Sequence, residues 1–182
     1  MRKLSKIILE ESNMDPHTYN WVRKASRGII IKGDKVLMVY SSSFDDYTFP
    51  GGGVKRGETY QKALYRELGE EVGGIGIKIV KAFGQTLEVR KSFRHEGEQY
   101  RQLSKYFICT IRRYGNQDLE EREEYHGVVP TWITPQEALD HNKKVMGNEM
   151  HQQRGAKTTI IRENIVLQQL IDEGIVKWEN LK

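Results

Sequence analysis

The stretch from Gly51 to Gly74 constrains this chain more than any other. Between the run Gly51-Gly52-Gly53 and the pair Gly73-Gly74, the residues Tyr60, Leu64, Leu68 and Val72 recur every four positions. This spacing predicts a helix over 58–72 with one apolar stripe, stopped by glycine. Upstream, Gly28-Ile29-Ile30-Ile31-Lys32 and Val36-Leu37-Met38-Val39-Tyr40 are β-rich runs separated by Gly33-Asp34, which is hairpin chemistry. Tyr47-Thr48-Phe49 reads as a short third strand, ended by Pro50 and the glycines.

Downstream, strands are expected over about 75–90 and 99–114, joined by the polar segment from Phe93 to Glu98. An acidic loop over 116–125 and one more strand from Val128 to Ile133 follow. Thr134-Pro135-Gln136-Glu137 supplies an N-cap, a first-turn proline and capping-box chemistry, so a helix starts there. A last helix is expected over about 157–172. Strands dominate the middle and helices are interspersed, which predicts an α+β fold, a mixed β-sheet covered by helices.

A chain of 182 residues is expected to form about one domain. Residues 25–182 carry the pattern above; residues 1–24, interrupted by Asn13, Asp15 and Pro16, read as an N-terminal extension or edge element of the same domain. Charged residues at 30% and hydrophobic ones at 37% describe a globular chain rather than a disordered one. The single Cys109 excludes an intramolecular disulfide framework and suits a reducing compartment. Arg2, Lys3 and Lys6 precede only Ile7-Ile8-Leu9, too short an apolar run for a signal peptide. No run approaches the roughly 18 apolar residues of a membrane span. The expectation is a cytoplasmic protein with no membrane partner. A net charge of +4 names no partner by itself.

At about 100° per residue, Glu67, Glu70 and Glu71 fall within an arc of about 100° beside the apolar stripe. Like charges at these spacings cost about 0.2–0.5 kcal/mol per exposed pair, and more as the local dielectric falls. Arg66, four residues before Glu70, offsets part of that repulsion. A hard divalent cation with oxygen ligands would relieve the rest. The plainer alternative is a solvated acidic helix face.

Gly52, Glu58, Arg66, Glu67, Glu70, Glu71 and Gly73, with apolar Leu68 in place, resemble the Nudix box, the signature of hydrolases of nucleoside diphosphates linked to another group. The box departs from the family's pattern in two places. Gly74 stands where an apolar residue is usual, and Gly69 lies inside the helix, at a cost of about 1 kcal/mol relative to Ala.

The resemblance implies an α/β/α sandwich and a diphosphohydrolase that needs Mg²⁺ or Mn²⁺. The substrate would be a nucleoside triphosphate, a dinucleoside polyphosphate or a related nucleoside diphosphate derivative. ADP-ribose or a nucleotide sugar is the enzymatic alternative, and a nucleotide- or RNA-binding module without turnover is the other. By the family pattern, Glu67, Glu70, Glu71 and the Gly51 carbonyl are metal ligands. Glu67 or Glu70 takes part in catalysis, while Arg66 and Glu58 orient the carboxylates. A further base or ligand is sought among Glu120, Glu121, Glu123 and Glu124, before the last strand. Arg27, Arg90, Arg94 and Arg101 are the candidate phosphate-binding cations. The expected partner is a small nucleotide; nucleic acid is not expected, and a homodimer is left open.

Other chemistries fail. Gly52 to Thr59 nearly spells a P-loop, but Glu58 stands at the lysine position and would repel phosphate. The five histidines show no metal-type spacing, and there is no Gly-x-Ser-x-Gly elbow.

Overall fold

The computed structural model describes residues 1–92, 96–152 and 156–175. In chain order the elements are β1 (Ile8–Leu9), β2 (Trp21–Lys32), β3 (Lys35–Ser41), β4 (Asp46–Thr48), α1 (Tyr60–Val72), β5 (Gly74–Ile75), β6 (Lys78–Lys91) and β7 (Gln99–Thr110). Then come β8 (Arg113–Tyr114), α2 (Glu121–Tyr125), β9 (Val128–Ile133), α3 (Pro135–Val145), α4 (Glu149–Gln152) and α5 (Ala156–Asp172).

The hairpin at Gly33-Asp34 forms, pairing Lys32 with Lys35 and Ile31 with Val36. After those two pairs β3 leaves β2 and pairs with β9 and β4 instead. β2 meanwhile runs parallel to β7 from Trp21 to Ile30, and β7 pairs antiparallel with β6. The sheet is therefore mixed and splits where β2 and β3 part. Into that split runs the glycine loop: Gly28 N–H donates to Pro50 O (2.8 Å), Ser26 N–H to Gly52 O (2.9 Å) and Val54 N–H to Lys24 O (2.9 Å). The backbone amides that β3 abandons thus fix the loop at the middle of the fold. At the far edge, β1 adds a short parallel strand to β6.

Two apolar clusters cover the two faces. Leu64, Leu68 and Val72 of α1 pack on Ile30, Leu37, Val39, Phe107 and Cys109. Leu139 of α3 and Val166, Leu167 and Leu170 of α5 pack on Ile29, Met38, Phe49, Tyr106 and Ile108 from the other side. This is the layered α+β arrangement expected. Cys109 is buried, and Phe49 is a core residue set edge-on to Tyr106 with centroids 5.8 Å apart. None of the helices among the described residues is long and apolar enough to cross a membrane.

Local chemistry sets the helix ends. Thr59 caps α1 by accepting from Lys62 N–H (3.2 Å), so the helix starts at Tyr60, the first residue of its apolar stripe, rather than at residue 58. Gly73 ends it in the left-handed region (φ 62°), its N–H returning to Leu68 O. Thr134 and Glu137 form the capping box that their spacing predicts. Gly69 tolerates a side chain, since a Cβ there meets only Gly74 O at 4.0 Å. Gly69→Ala is therefore expected to raise stability by about 0.5–1 kcal/mol, measured by urea denaturation; a loss would show that this helix end is strained.

Candidate active site

α1 lays its acidic face against the glycine loop because its apolar stripe is committed to the sheet. Glu67 and Glu71, one turn apart, are consequently buried, at 7% and 8% exposure. Glu71 accepts from Gly51 N–H (2.5 Å). A Cβ on Gly52 would stand 2.5 Å from the Glu67 carboxylate, so any other residue there would push that side chain away.

The terminal carbonyls of α1 are satisfied by the segment that follows β8. Gly115 N–H donates to Gly73 O (2.8 Å), Asp118 N–H to Glu70 O (2.9 Å) and Gln117 Nε2 to Glu71 O (2.7 Å). This stitching carries α2, a single turn where a loop is expected, onto the acidic face. There a Glu123 carboxylate oxygen comes together with one each from Glu67 and Glu71, all within 4.8 Å of one another. Glu120 instead faces Lys55 (3.6 Å) in solvent, and Glu121 and Glu124 are exposed.

Glu70 stands outside this trio. Arg66 Nη1 binds its Oε2 (2.9 Å) and also Glu67 Oε1 (2.7 Å), while Nε and Nη2 grip Glu58 (3.0 and 3.2 Å) and Nη2 reaches Gly53 O (2.9 Å). Arg66 thereby ties the helix to the loop. The same guanidinium, then the Lys55 N–H, holds the Glu58 carboxyl down at about 2.

The trio itself is under electrostatic load. Desolvation pushes Glu71 up to about 8, with further raising by Glu67 and Glu123; desolvation raises Glu67 as well. Arg27 opposes both shifts, and its Nη1 donates to the carbonyls of Phe49 (2.9 Å) and Gly51. Three crowded, largely desolvated carboxylates are an all-oxygen donor set, which fits a hard divalent cation and no soft one.

The other candidate cations separate. Arg90 is buried on the face of the sheet that also carries Arg27, whereas Arg101 stacks on Tyr19 (4.8 Å), a neighbour across the pleat. Arg94 lies outside the described residues. One residue escaped the reading by sequence: Arg23 shares the Arg27 face, four positions earlier on β2, and its guanidinium lies against Gly53 (3.3 Å from a Cβ there). Period-two alternation from Arg27 was the signal available.

The model of the NUDIX domain matches residues 22–152. An RNA pyrophosphohydrolase of Campylobacter jejuni is 30% identical over 122 residues, 60% of this chain and 74% of that protein. One of Nitratiruptor is 31% identical over 86 residues, 43% of this chain and 53% of its own length. Among solved structures, a NUDIX hydrolase from Nitrosomonas europaea covers 78% of this chain and 86% of its own at 18% identity, with a TM-score of 0.49. The matched span contains the whole glycine loop, α1 and Glu123, and the chain belongs to the Nudix family as a Nudix-type pyrophosphohydrolase.

Proposed function

We propose that this chain hydrolyses a pyrophosphate linkage in a nucleoside triphosphate, a dinucleoside polyphosphate or a related nucleotide, with Mg²⁺ or Mn²⁺ at Glu67, Glu71, Glu123 and the Gly51 carbonyl. The observation that carries the reading is the meeting of Glu123 with Glu67 and Glu71 at the glycine loop. Three converging carboxylates repel one another, and a divalent cation would offset that repulsion.

A bound divalent ion would supply charge neutralisation for the diphosphate oxygens and acidify a water ligand. The side chains do the rest. Arg66 and Glu58 keep Glu67 aimed at the loop. The Gly51 N–H fixes one oxygen of Glu71. Burial makes both carboxyls avid for protons, the property a general base needs near neutral pH. Arg27 holds the loop carbonyls and offers the cationic charge next to the trio.

The relatives named RNA pyrophosphohydrolase favour a second reading, in which the nucleotide is the 5′ end of an RNA. Phosphate and pyrophosphate release with Mg²⁺ and with Mn²⁺ should be assayed across nucleoside triphosphates, dinucleoside polyphosphates, ADP-ribose, nucleotide sugars and 5′-triphosphorylated RNA. Turnover of at least one of these supports the enzyme; binding without turnover throughout would replace it with a sensor.

Glu123→Gln is expected to lower kcat by roughly 10–100-fold while stability stays within about 0.5 kcal/mol of wild type. The same change at Glu120, Glu121 or Glu124 should leave kcat near wild type. Steady-state kinetics of the four variants decides it, and a normal kcat in Glu123→Gln would remove that residue from the site.

A further inference from the structure

One face of the sheet is left partly open. Along β7, Gln102, Ser104 and Tyr106 are buried, while Arg101, Leu103 and Lys105 between them are only half-buried. The alternation repeats on β6, where Thr86 and Glu88 are buried and Gln85 and Leu87 half-buried. Register sets Val22 of β2 beside Arg101, Lys24 beside Leu103 and Ser26 beside Lys105. On the other side of β7, Val89 stands beside Arg101, Leu87 beside Leu103 and Gln85 beside Lys105. With a side-chain period of two, these nine positions share one face, opposite to the one that carries Glu88.

α1 packs its apolar stripe on the far half of this face, against Ile30, Phe107 and Cys109. The helix begins at Tyr60, and Lys105 Nζ lies over that ring at 4.1 Å from its centroid. At the other end the Arg101 guanidinium lies over Tyr19 (4.8 Å). Between the two tyrosines the strip is open: Lys24 is exposed, and Val22 is 58% exposed. None of its nine positions is acidic, and Glu88, on the opposite face, is bound to Arg162 (2.7 Å). A cation set over an aromatic ring keeps its full charge. Lys24, Arg101 and Lys105 therefore make a positive strip interleaved with aliphatic side chains and flanked by tyrosines.

We infer that this strip docks single-stranded RNA, namely the nucleotides that follow a 5′ end held at the carboxylate trio. The inference rests on the second reading of the proposed function, the one with an RNA 5′ end as substrate, and gives that reading a surface. Cations spaced across neighbouring strands suit successive phosphates, and the tyrosine rings, the Arg101 plane and the aliphatic side chains suit unstacked bases. A duplex hides its bases and would use the charges alone. An acidic protein segment would likewise leave the rings unused. Position argues the same way. The glycine loop runs beside β2, with Val54 N–H donating to Lys24 O (2.9 Å) and Gly53 bridged to Ala25. Glu67 and Glu71 are carried by α1, which packs on this same face. The strip therefore starts at the loop that holds the trio.

Fluorescence anisotropy of a labelled, short 5′-hydroxyl oligoribonucleotide in EDTA measures binding apart from the metal site. Wild type is expected to bind it, and the double variant Lys24→Gln with Lys105→Gln should bind roughly 10-fold or more weakly. Its slope of log affinity against log salt should be shallower by about 1.4, the loss of two phosphate contacts. The double variant Lys24→Arg with Lys105→Arg should bind like wild type. In turnover, the glutamine variant should lose kcat/KM for 5′-triphosphorylated RNA by a similar factor and keep that for a nucleoside triphosphate within twofold, which a folding defect would not spare. Equal oligoribonucleotide binding by wild type and the glutamine variant overturns the proposal. So does displacement of the probe by oligoglutamate as readily as by unlabelled RNA, which would give the strip to an acidic protein segment. Absence of RNA turnover in wild type would instead defeat the RNA reading of the function, while the EDTA arm still decides whether the strip binds RNA.

Discussion

Glu71→Gln is expected to abolish turnover, with a loss of roughly 100-fold or more, while stabilising the metal-free protein. The carboxyl is 8% exposed and pushed up to about 8, against 4.5 in an unfolded chain. Because the folded state holds the proton more tightly, this group favours folding fully below about pH 4.5. That support is lost as pH rises from 4.5 to 8, and at pH 7 the deficit is about 3 kcal/mol. Glutamine has no charge to desolvate and can still accept from Gly51 N–H. The variant should therefore be about 1–3 kcal/mol more stable than wild type at pH 7, with the gap closing toward pH 4.5. Denaturation in EDTA at pH 4.5, 6 and 7.5, beside steady-state kinetics, checks both halves. Equal stability at every pH would show that Glu71 is not desolvated as described.

Arg162→Met is expected to be the most destabilising single change. The guanidinium is 1% exposed and is the ionic partner of two carboxylates, Glu88 and Glu163, that are both fully buried. Removing it strands those charges, at a cost of about 3–5 kcal/mol and a fall in Tm of about 10 °C. Activity should fall with it, because Glu163 Oε2 accepts from Phe49 N–H (3.1 Å) and so ties α5 to the strand that enters the glycine loop. Adding Glu88→Gln and Glu163→Gln to the variant should recover much of the stability, since the stranded charges are then gone. Urea denaturation of both proteins measures this, and an unchanged midpoint in Arg162→Met would contradict the buried network.

Most of the site was legible because it is local in sequence. Glu58, Arg66, Glu67 and Glu71 lie on one loop and one helix, so spacing alone fixes their faces. Glu123 was legible only as one of four acids, because its selection depends on backbone bonds from residues 115–118 to the end of α1. Glu70 shares that face, and Arg66 Nη1 holds its carboxylate as it holds that of Glu67, a pairing that spacing permits without fixing. β2 was read only from Gly28; its first seven residues, Trp21 to Arg27, pair apolar Trp21-Val22 with basic Arg23-Lys24 and show no apolar alternation. They are strand because β7 pairs with all of them, and Arg23 was missed with them.

The claim on which everything else depends is that Glu67, Glu71 and Glu123 hold a divalent ion. Titration of Mn²⁺ into the protein at pH 7, followed by electron paramagnetic resonance and by proton release, tests it most directly. A Glu71 carboxyl pushed up to about 8 is mostly protonated at that pH, so binding should release about one proton. Glu71→Gln should bind Mn²⁺ at least 10-fold more weakly and release none. Equal Mn²⁺ affinity in the two proteins, with no proton released by wild type, would contradict the account.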